Sequence, residues 1–244
     1  MRLFATALAL AALVAMATPA SASLVLTIDD LSGGGIEVIV VDNSAIATGS
    51  AAGASTHADI NGTAGAVVFS GSVGSYVVVV TTGISKPFAP NSDTLGYIDI
   101  SNISVSGGAG SLKLTLTDTD FMLDTTKTGT WGFMNLSIGG TLATGGSLMA
   151  QGWIDNNNAE FGKGSPTILS DTFNGPGFFG NNYRIGGVDL QGKFSLTQEI
   201  ILTHDRAGTS SFDSELSVPE PASALLLALG FAGIAASRRR RKQA

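Results

Sequence analysis

The sequence contains no cysteine among its 244 residues. A chain without cysteine forms no disulfide, and thiol nucleophiles, cysteine-based zinc sites and iron–sulfur clusters are excluded as well. Charged residues are also few, at 13% of the sequence, and two residues are histidine. The fold must therefore depend on the packing of apolar side chains, and any catalysis must use other groups than thiols.

Positive charge is scarce between the two chain ends. Residues 23–217 contain seven cationic and eighteen acidic side chains, a formal net charge of −11 against −6 for the whole sequence. Nucleic-acid binding depends on lysine and arginine contacts to phosphates. We therefore expect no nucleic-acid partner. The negative charge suits solubility outside the cell or the binding of divalent cations.

Helical periodicity is absent from residues 23–217. Apolar and polar residues alternate instead in short runs between glycine-rich turns, as at Leu112, Leu114 and Leu116. This pattern predicts an all-β fold, a single antiparallel β-sandwich or jelly-roll-like domain. The predicted strands are 24–29, 35–42, 66–70, 76–82, 97–101, 103–105, 112–116, 131–138, 147–154, 167–173, 188–203 and 212–218, with a long loop at 45–60. The predicted core includes Val38, Val78, Leu112, Leu114, Leu116, Phe194 and Leu196.

The first 22 residues have the organisation of a secretory signal peptide. Arg2 precedes an apolar run over residues 3–17, and Ala20 and Ala22 form an A-x-A pattern before Ser23. Such a pattern is typical of signal-peptide cleavage. We predict removal of residues 1–22. The alternative is an uncleaved membrane helix, which the small-residue site disfavours.

A second apolar segment lies near the other end of the chain. Seventeen uncharged residues rich in alanine and leucine separate Glu220 from Arg238, and five cationic residues follow at 238–242. At ~1.5 Å per residue the run reaches about 25 Å of a hydrocarbon core roughly 30 Å thick. The cationic cluster favours the cytoplasmic side, as does Arg2, so the residues between them are predicted to be translocated. Alone, the segment is equally consistent with a permanent membrane anchor.

The order of elements at residues 218–244 carries a family resemblance. A Pro-Glu-Pro motif, a short apolar helix and an arginine cluster together resemble the PEP-CTERM sorting signal of Gram-negative bacteria; the motif residues are Pro219, Glu220, Pro221, Arg238, Arg239, Arg240 and Arg241. The resemblance implies transient anchoring in the inner membrane through residues 222–237, with the body on the periplasmic side. It also implies processing by an exosortase-type protease near the Pro-Glu-Pro motif. The sorting system of this family tends to accompany exopolysaccharide production.

Two familiar motifs receive structural interpretations. Residues 175–180 match G-x-G-x-x-G, but a nucleotide site needs a helix after this loop and none is predicted, so the motif indicates a glycine-rich loop. His57 and His204 lie outside any G-x-S-x-G or H-E-x-x-H pattern. We interpret both histidines as loop or turn residues.

Two acidic clusters are candidates for calcium binding. The first is Asp118, Asp120 and Asp124, and the second is Asp155, Asn157 and Glu160. Calcium takes six to eight oxygen ligands, which such clusters supply. Neither cluster has the spacing of an EF-hand loop, and aspartate and asparagine are also common turn residues. Calcium is the one cofactor that the sequence suggests.

Exposed aromatic side chains could stack on sugar rings. Trp131 and Trp153 lie in predicted strands and are expected in the core, whereas Phe178 and Phe179 lie in the glycine-rich loop. The phenylalanine pair is therefore the better candidate. The alternative is that the pair closes one end of the sandwich.

Two classes of function remain. The first is a non-enzymatic exported protein of the cell surface or extracellular matrix, associated with exopolysaccharide or biofilm. We favour it because of what the resemblance implies. The second is a secreted carbohydrate-active hydrolase on a jelly-roll scaffold, which would need two positioned carboxylates. Under the first interpretation no residue is catalytic.

Overall fold

The computed structural model describes residues 24–33, 35–43, 55–86, 96–122, 131–190 and 192–219. The predicted signal peptide and tail helix lie outside these ranges. Within them the chain forms strands and no helix, so no helix there is long and apolar enough to cross a membrane. The strands are β1 (Val25–Asp29), β2 (Val38–Val41), β3 (Ser55–His57), β4 (Ala66–Val73), β5 (Tyr76–Ile84), β6 (Gly96–Gly107), β7 (Gly110–Met122), β8 (Trp131–Leu142), β9 (Gly146–Asp155), β10 (Thr167–Leu169), β11 (Phe173–Asn174), β12 (Gly177–Asp189), β13 (Lys193–His204) and β14 (Gly208–Val218).

The strands form two sheets that pack face to face in a sandwich-like arrangement. The eight-stranded sheet has the order β10-β9-β13-β7-β1-β2-β3, with β11 also paired to β9. The six-stranded sheet has the order β12-β8-β14-β6-β5-β4. The β2–β3 pair is parallel, and the other pairs in the described residues are antiparallel. The prediction of an all-β fold is confirmed.

The core lies between the two sheets because every second residue of each strand is apolar and points to the inner face. In β6, for example, Ile98, Ile100, Ile103 and Val105 are fully buried, and polar residues between them point to the other face. All seven predicted core residues are buried, at 2% exposure or less. Alternation with a period of two therefore predicted the inner face correctly.

The outer faces of the two sheets differ. Residues 156–166 cross the outer face of the eight-stranded sheet, where the Phe161 N–H donates to Thr117 Oγ1 at 3.2 Å. Ser195 Oγ donates to the Ala159 carbonyl at 2.7 Å, and Lys163 pairs with Glu199 at 2.8 Å. This cover explains why β13 is buried on both faces over most of its length. The outer face of the six-stranded sheet alternates between buried and accessible residues and remains open to solvent.

Several predicted boundaries are corrected by the structure. The predicted strand 188–203 is divided between β12 and β13, with Gly192 at a φ of 74° in the turn. The predicted loop at 175–180 forms the start of β12, an edge strand whose glycine and asparagine residues have low β-propensity. The predicted loop 45–60 contains β3, and the two predicted strands at 97–105 form one strand. In each case the strand boundaries follow from pairing with neighbouring strands, which local propensity does not record.

Candidate functional site

Two carboxylates lie opposite each other on the open face of the six-stranded sheet. Asp99 is on β6 between the fully buried Ile98 and Ile100, so its side chain takes the outer parity. Glu215 is on β14 and pairs in register with Asp99 on one side and with Ser137 of β8 on the other. Antiparallel pairing thus places an acidic pair at the centre of the sheet.

A third carboxylate, Asp213, lies next to this pair and opposite a β-bulge. The register of β14 against β6 shifts between Phe212 and Ser214, and Asp213 lies at the shift. Opposite it, Asn102 adopts a left-handed φ of 53°, and its N–H donates a hydrogen bond to Asp213 Oδ1. The extra residue is on β6, where Ser101 and Asn102 lie opposite Asp213 alone. Asp213 and Glu215 are on the same face of β14, because Phe212, Ser214 and Leu216 point into the core.

The neighbouring strand, β8, has two glycine residues where its backbone passes close to β14. A Cβ added to Gly140 would lie 2.1 Å from the Ser211 carbonyl oxygen, so no other residue fits without a backbone shift. Gly139 beside it pairs with Gly180 of β12. The absence of side chains here leaves a depression next to the carboxylates.

The result is a cavity of about 210 Å³, which we name the acidic trough. It is lined by Asp99, Ser137, Gly139, Asp213, Ser214 and Glu215. A smaller cavity of about 130 Å³ adjoins it at Asp213 and Asn102. Within the described part of the chain, no lysine or arginine lies within ion-pairing distance of the three carboxylates.

Burial changes the acidity of the trough. Desolvation, together with the charges of Glu215 and Asp213, raises the pKa of Asp99 to about 6, although Ser101 Oγ donates to it at 2.5 Å. Burial, with Asp99 and Glu215 as neighbours, also raises the pKa of the Tyr97 hydroxyl. Near pH 6 the trough therefore holds a carboxyl group that readily gains or loses a proton, and the phenol next to it is a hydrogen-bond donor.

Aromatic side chains lie on the strands beside the trough. Phe178 on β12 is 94% exposed and pairs with Thr141, whose other neighbour is Ser211 at the smaller cavity. Phe133 on β8 is 41% exposed, and the Arg184 guanidinium lies over its ring at 3.7 Å from the centroid. An open face with hydrogen-bond acceptors, hydroxyl groups and exposed rings is suited to a hydroxyl-rich ligand.

The sequence did not reveal this site. Asp99, Asp213 and Glu215 stand on the polar parity of predicted strands, where acidic residues are ordinary. Only the register that aligns β6, β14 and β8 brings them together. The sole local signal is the break in alternation around Asn102, which marks the bulge.

The predicted calcium residues have other partners in the structure. Asp118 is fully buried, and its Oδ2 accepts hydrogen bonds from Lys86 Nζ at 2.9 Å and Ser85 Oγ at 2.6 Å. Asp120 pairs with Lys193 at 2.7 Å and accepts a bond from Asn158 Nδ2 at 3.1 Å. Asp124 lies outside the described residues.

The second predicted cluster forms a turn. Asp155 Oδ1 accepts from the N–H and Nδ2 of Asn157, at 3.0 and 3.1 Å, and Oδ2 accepts from the Ala159 N–H at 3.3 Å. Glu160 is exposed on this turn, and desolvation by the neighbouring protein atoms raises the pKa of its carboxyl group. The Asn158 contact to Asp120 brings the two clusters to one place. Calcium binding there stays a prediction.

A different acidic group lies between β1 and β2. Carboxylate oxygens of Asp29, Asp30 and Glu37 lie within 4.8 Å of one another. The Asp30 N–H donates to Glu37 Oε2 at 2.8 Å, Ser32 donates to Asp30, and Lys113 Nζ lies 3.1 Å from Asp29. Burial and the Asp30 charge raise the pKa of Glu37, whereas the Ser32 hydrogen bonds lower that of Asp30. These donors explain the cluster as the hydrogen-bonded turn between two strands.

The histidines and remaining aromatic residues divide between core and surface. His204 is the buried last residue of β13 rather than a turn residue, and its Nε2 is 2.8 Å from Ser210 Oγ. Burial lowers its pKa. His57 is exposed on β3. Trp153 is buried as predicted. The rings of Phe179 and Phe173 pack together with their centroids 4.7 Å apart. The Trp131 side chain lies outside the described residues.

Comparison with known proteins identifies the tail motif and finds a distant structural similarity for the rest of the chain. In solved structures the chain is similar to the enzymatically active domain of bacteriophage CBA120 tailspike protein 4, with 11% identity, 56% of this chain and 16% of that chain covered, and a TM-score of 0.31. It is also similar to TmCBM61 in complex with β-1,4-galactotriose, with 12% identity, coverages of 64% and 88%, and a TM-score of 0.31. These scores are too low to transfer any property.

No curated protein matches the sequence. Residues 217–241 match the model of the PEP-CTERM protein-sorting motif, which coincides with the Pro-Glu-Pro motif, apolar run and arginine cluster. The family resemblance of the tail is thereby confirmed. The chain carries a PEP-CTERM protein-sorting motif and is an exported, surface-directed protein of the kind that an exosortase processes.

Proposed function

We propose that the mature protein is a non-enzymatic component of the cell surface or extracellular matrix that binds polysaccharide through the acidic trough. The observation that supports this most directly is the trough itself, three carboxylates and the Ser137 hydroxyl on the open face of an exported β-domain. The tail supports the location, because its sorting system tends to accompany exopolysaccharide. Residues 156–166 cover part of the outer face of the other sheet.

The size and charge of the trough limit its ligand. At about 210 Å³ it is smaller than the roughly 300–1,000 Å³ of pockets that enclose a drug-sized ligand. It therefore suits one sugar unit of a chain that continues across the face toward Phe178. Carboxylates accept hydrogen bonds from hydroxyl or ammonium groups and repel acidic ones. We expect neutral polysaccharides or those with free amino groups, and no binding of uronate polymers in the absence of a divalent cation.

Binding should be measured with the mature protein recovered after export, on immobilised neutral, amino-sugar and uronate polysaccharides. Glu215→Gln should weaken binding at least several-fold, because a carboxylate acceptor is replaced by a group that is both donor and acceptor. Asp205→Asn removes the same charge at an exposed turn and should bind like the wild type. Equal binding by both variants, or a preference for uronates in chelator, would contradict the proposal.

A hydrolase is the second candidate, and the Asp99–Glu215 pair favours it. Glycoside hydrolysis uses two carboxyl groups, one of which has a raised pKa and donates a proton. The pKa of about 6 at Asp99 fits that role. Release of reducing ends from a bound polysaccharide, lost in Asp99→Asn, would establish this function in place of the first.

A further inference from the structure

A lysine and an aspartate are enclosed together where the two sheets meet. Lys86 follows β5 of the six-stranded sheet, and Asp118 lies on β7 of the eight-stranded sheet. Their side chains are 6% and 0% exposed, and Lys86 Nζ lies 2.9 Å from Asp118 Oδ2. Oδ2 is bonded to the carboxyl carbon of Asp118, so the Lys86 nitrogen already lies beside the carbon that it would attack.

Aromatic side chains enclose the pair and keep water away from it. Lys86 Nζ lies 4.2 Å from the centroid of the Phe121 ring, which stacks on Phe194 at 5.7 Å. Taking two charges out of water is costly in an apolar site. Transfer of one proton from the ammonium to the carboxylate gives a neutral amine beside a neutral acid.

Hydrogen-bond donors are placed where an acyl substitution needs them. The Thr119 N–H donates to Asp118 Oδ1 at 2.7 Å and would hold the negative charge on that oxygen in a tetrahedral intermediate. Ser85 Oγ donates to Oδ2 at 2.6 Å, the oxygen that would leave. Lys86 Nζ also donates a hydrogen bond to the Thr119 carbonyl, and this bond fixes the orientation of the amino group.

We infer that Lys86 and Asp118 form a spontaneous intramolecular amide bond. The Lys86 nitrogen bonds to the Asp118 carboxyl carbon, and the bond from that carbon to Oδ2 breaks. The ammonium gives up two protons, both of which reach Oδ2, and one water leaves. The reaction needs no oxidant or other reactant, and the amide keeps one N–H to donate to Thr119.

Such a bond would have a clear structural effect. It joins two residues 32 positions apart and links the two sheets covalently. A cross-link stabilises a fold by restricting its unfolded chain. The protein has no cysteine for a disulfide, so this amide would be the covalent cross-link of an extracellular domain.

The chain offers a matched control pair. Lys113 Nζ lies 3.1 Å from Asp29 Oδ2 on neighbouring strands, but the Lys113 side chain is 26% exposed. Water there stabilises both charges, so no amide is expected. Lys86→Met removes the nucleophile and keeps the apolar stem, and Lys113→Met makes the equivalent change at the control pair.

Mass spectrometry of the processed protein recovered after export tests the inference. The expected result is a mass one water below that of the processed sequence, with a denaturation-resistant peptide that joins Lys86 to Asp118. The cross-link should persist in Lys113→Met and be absent from Lys86→Met, and Ser85→Ala should form it more slowly after refolding. A wild-type mass with no water lost would overturn the inference. So would a loss of water without the joined peptide, as an aspartyl succinimide gives.

Discussion

Replacing Asp99 by asparagine should stabilise the protein at neutral pH. The folded-state pKa of Asp99 is raised from 3.8 to about 6, mainly by desolvation and then by Glu215 and Asp213. The proton bound in the folded state therefore contributes stability that is fully present below pH 3.8 and lost as the pH rises through about 6. At pH 7 the wild type holds a poorly solvated charge that asparagine removes.

The magnitude follows from the size of the shift. About two pKa units correspond to about 3 kcal/mol, since each unit is worth about 1.4 kcal/mol. Asp99 remains partly accessible to solvent, which screens its charge, so we expect a gain of about 1–2 kcal/mol. For a domain of this size that raises the melting temperature by roughly 2–8 °C. The asparagine oxygen can still accept the hydrogen bond from Ser101.

Thermal unfolding followed by circular dichroism at pH 7 and pH 4 measures the effect. The variant should melt above the wild type at pH 7, and the two curves should converge at pH 4, where Asp99 is largely protonated. Asp205→Asn is the control for net charge, because that carboxylate is exposed and pairs with Arg206 at 2.9 Å. Equal melting temperatures at pH 7, or a gain that persists unchanged at pH 4, would refute the assignment of a buried charge.

Three further predictions concern the core, the tail and calcium. Leu114→Ala should cost roughly 2–5 kcal/mol of stability in urea unfolding, because the Leu114 side chain of β7 is fully buried in the core. Val77→Ala, at a half-exposed position, should change stability by less than about 0.5 kcal/mol. Mass spectrometry of extracellular protein should find the cationic cluster at 238–242 removed, and an intact cluster would mean a permanent anchor. Calcium at a hundredfold excess over Kd should add about 2.7 kcal/mol if the Asp120 and 155–160 clusters bind it. Identical melts in calcium, magnesium and chelator would leave no metal site.

Local pattern predicted the fold class and the core because both depend on neighbours in sequence. A strand with one apolar parity must bury that parity, wherever its partners come from. Leu112, Leu114 and Leu116 are therefore buried in the structure as in the prediction. The same reasoning failed for β12, whose glycine and asparagine residues carry little strand propensity and which forms through its pairing with β8.

Pairing and packing across the chain decided the sites. Asp118 was predicted as a calcium ligand, but the return of the chain after β5 places Lys86 beside it and buries both side chains. Conversely, Asp99 and Glu215 are 116 positions apart in the sequence and meet through the pairing of β6 with β14. No short-range signal records such a contact.

The sequence by itself determined the export and sorting of this protein, its β-class and its inner face. Sorting motifs act as linear segments, and alternation is a property of single strands. Only the tertiary structure decided which polar residues are buried in pairs and which form the acidic trough. The reason is physical: the charge, solvation and geometry of a site depend on residues that long-range strand pairing brings together.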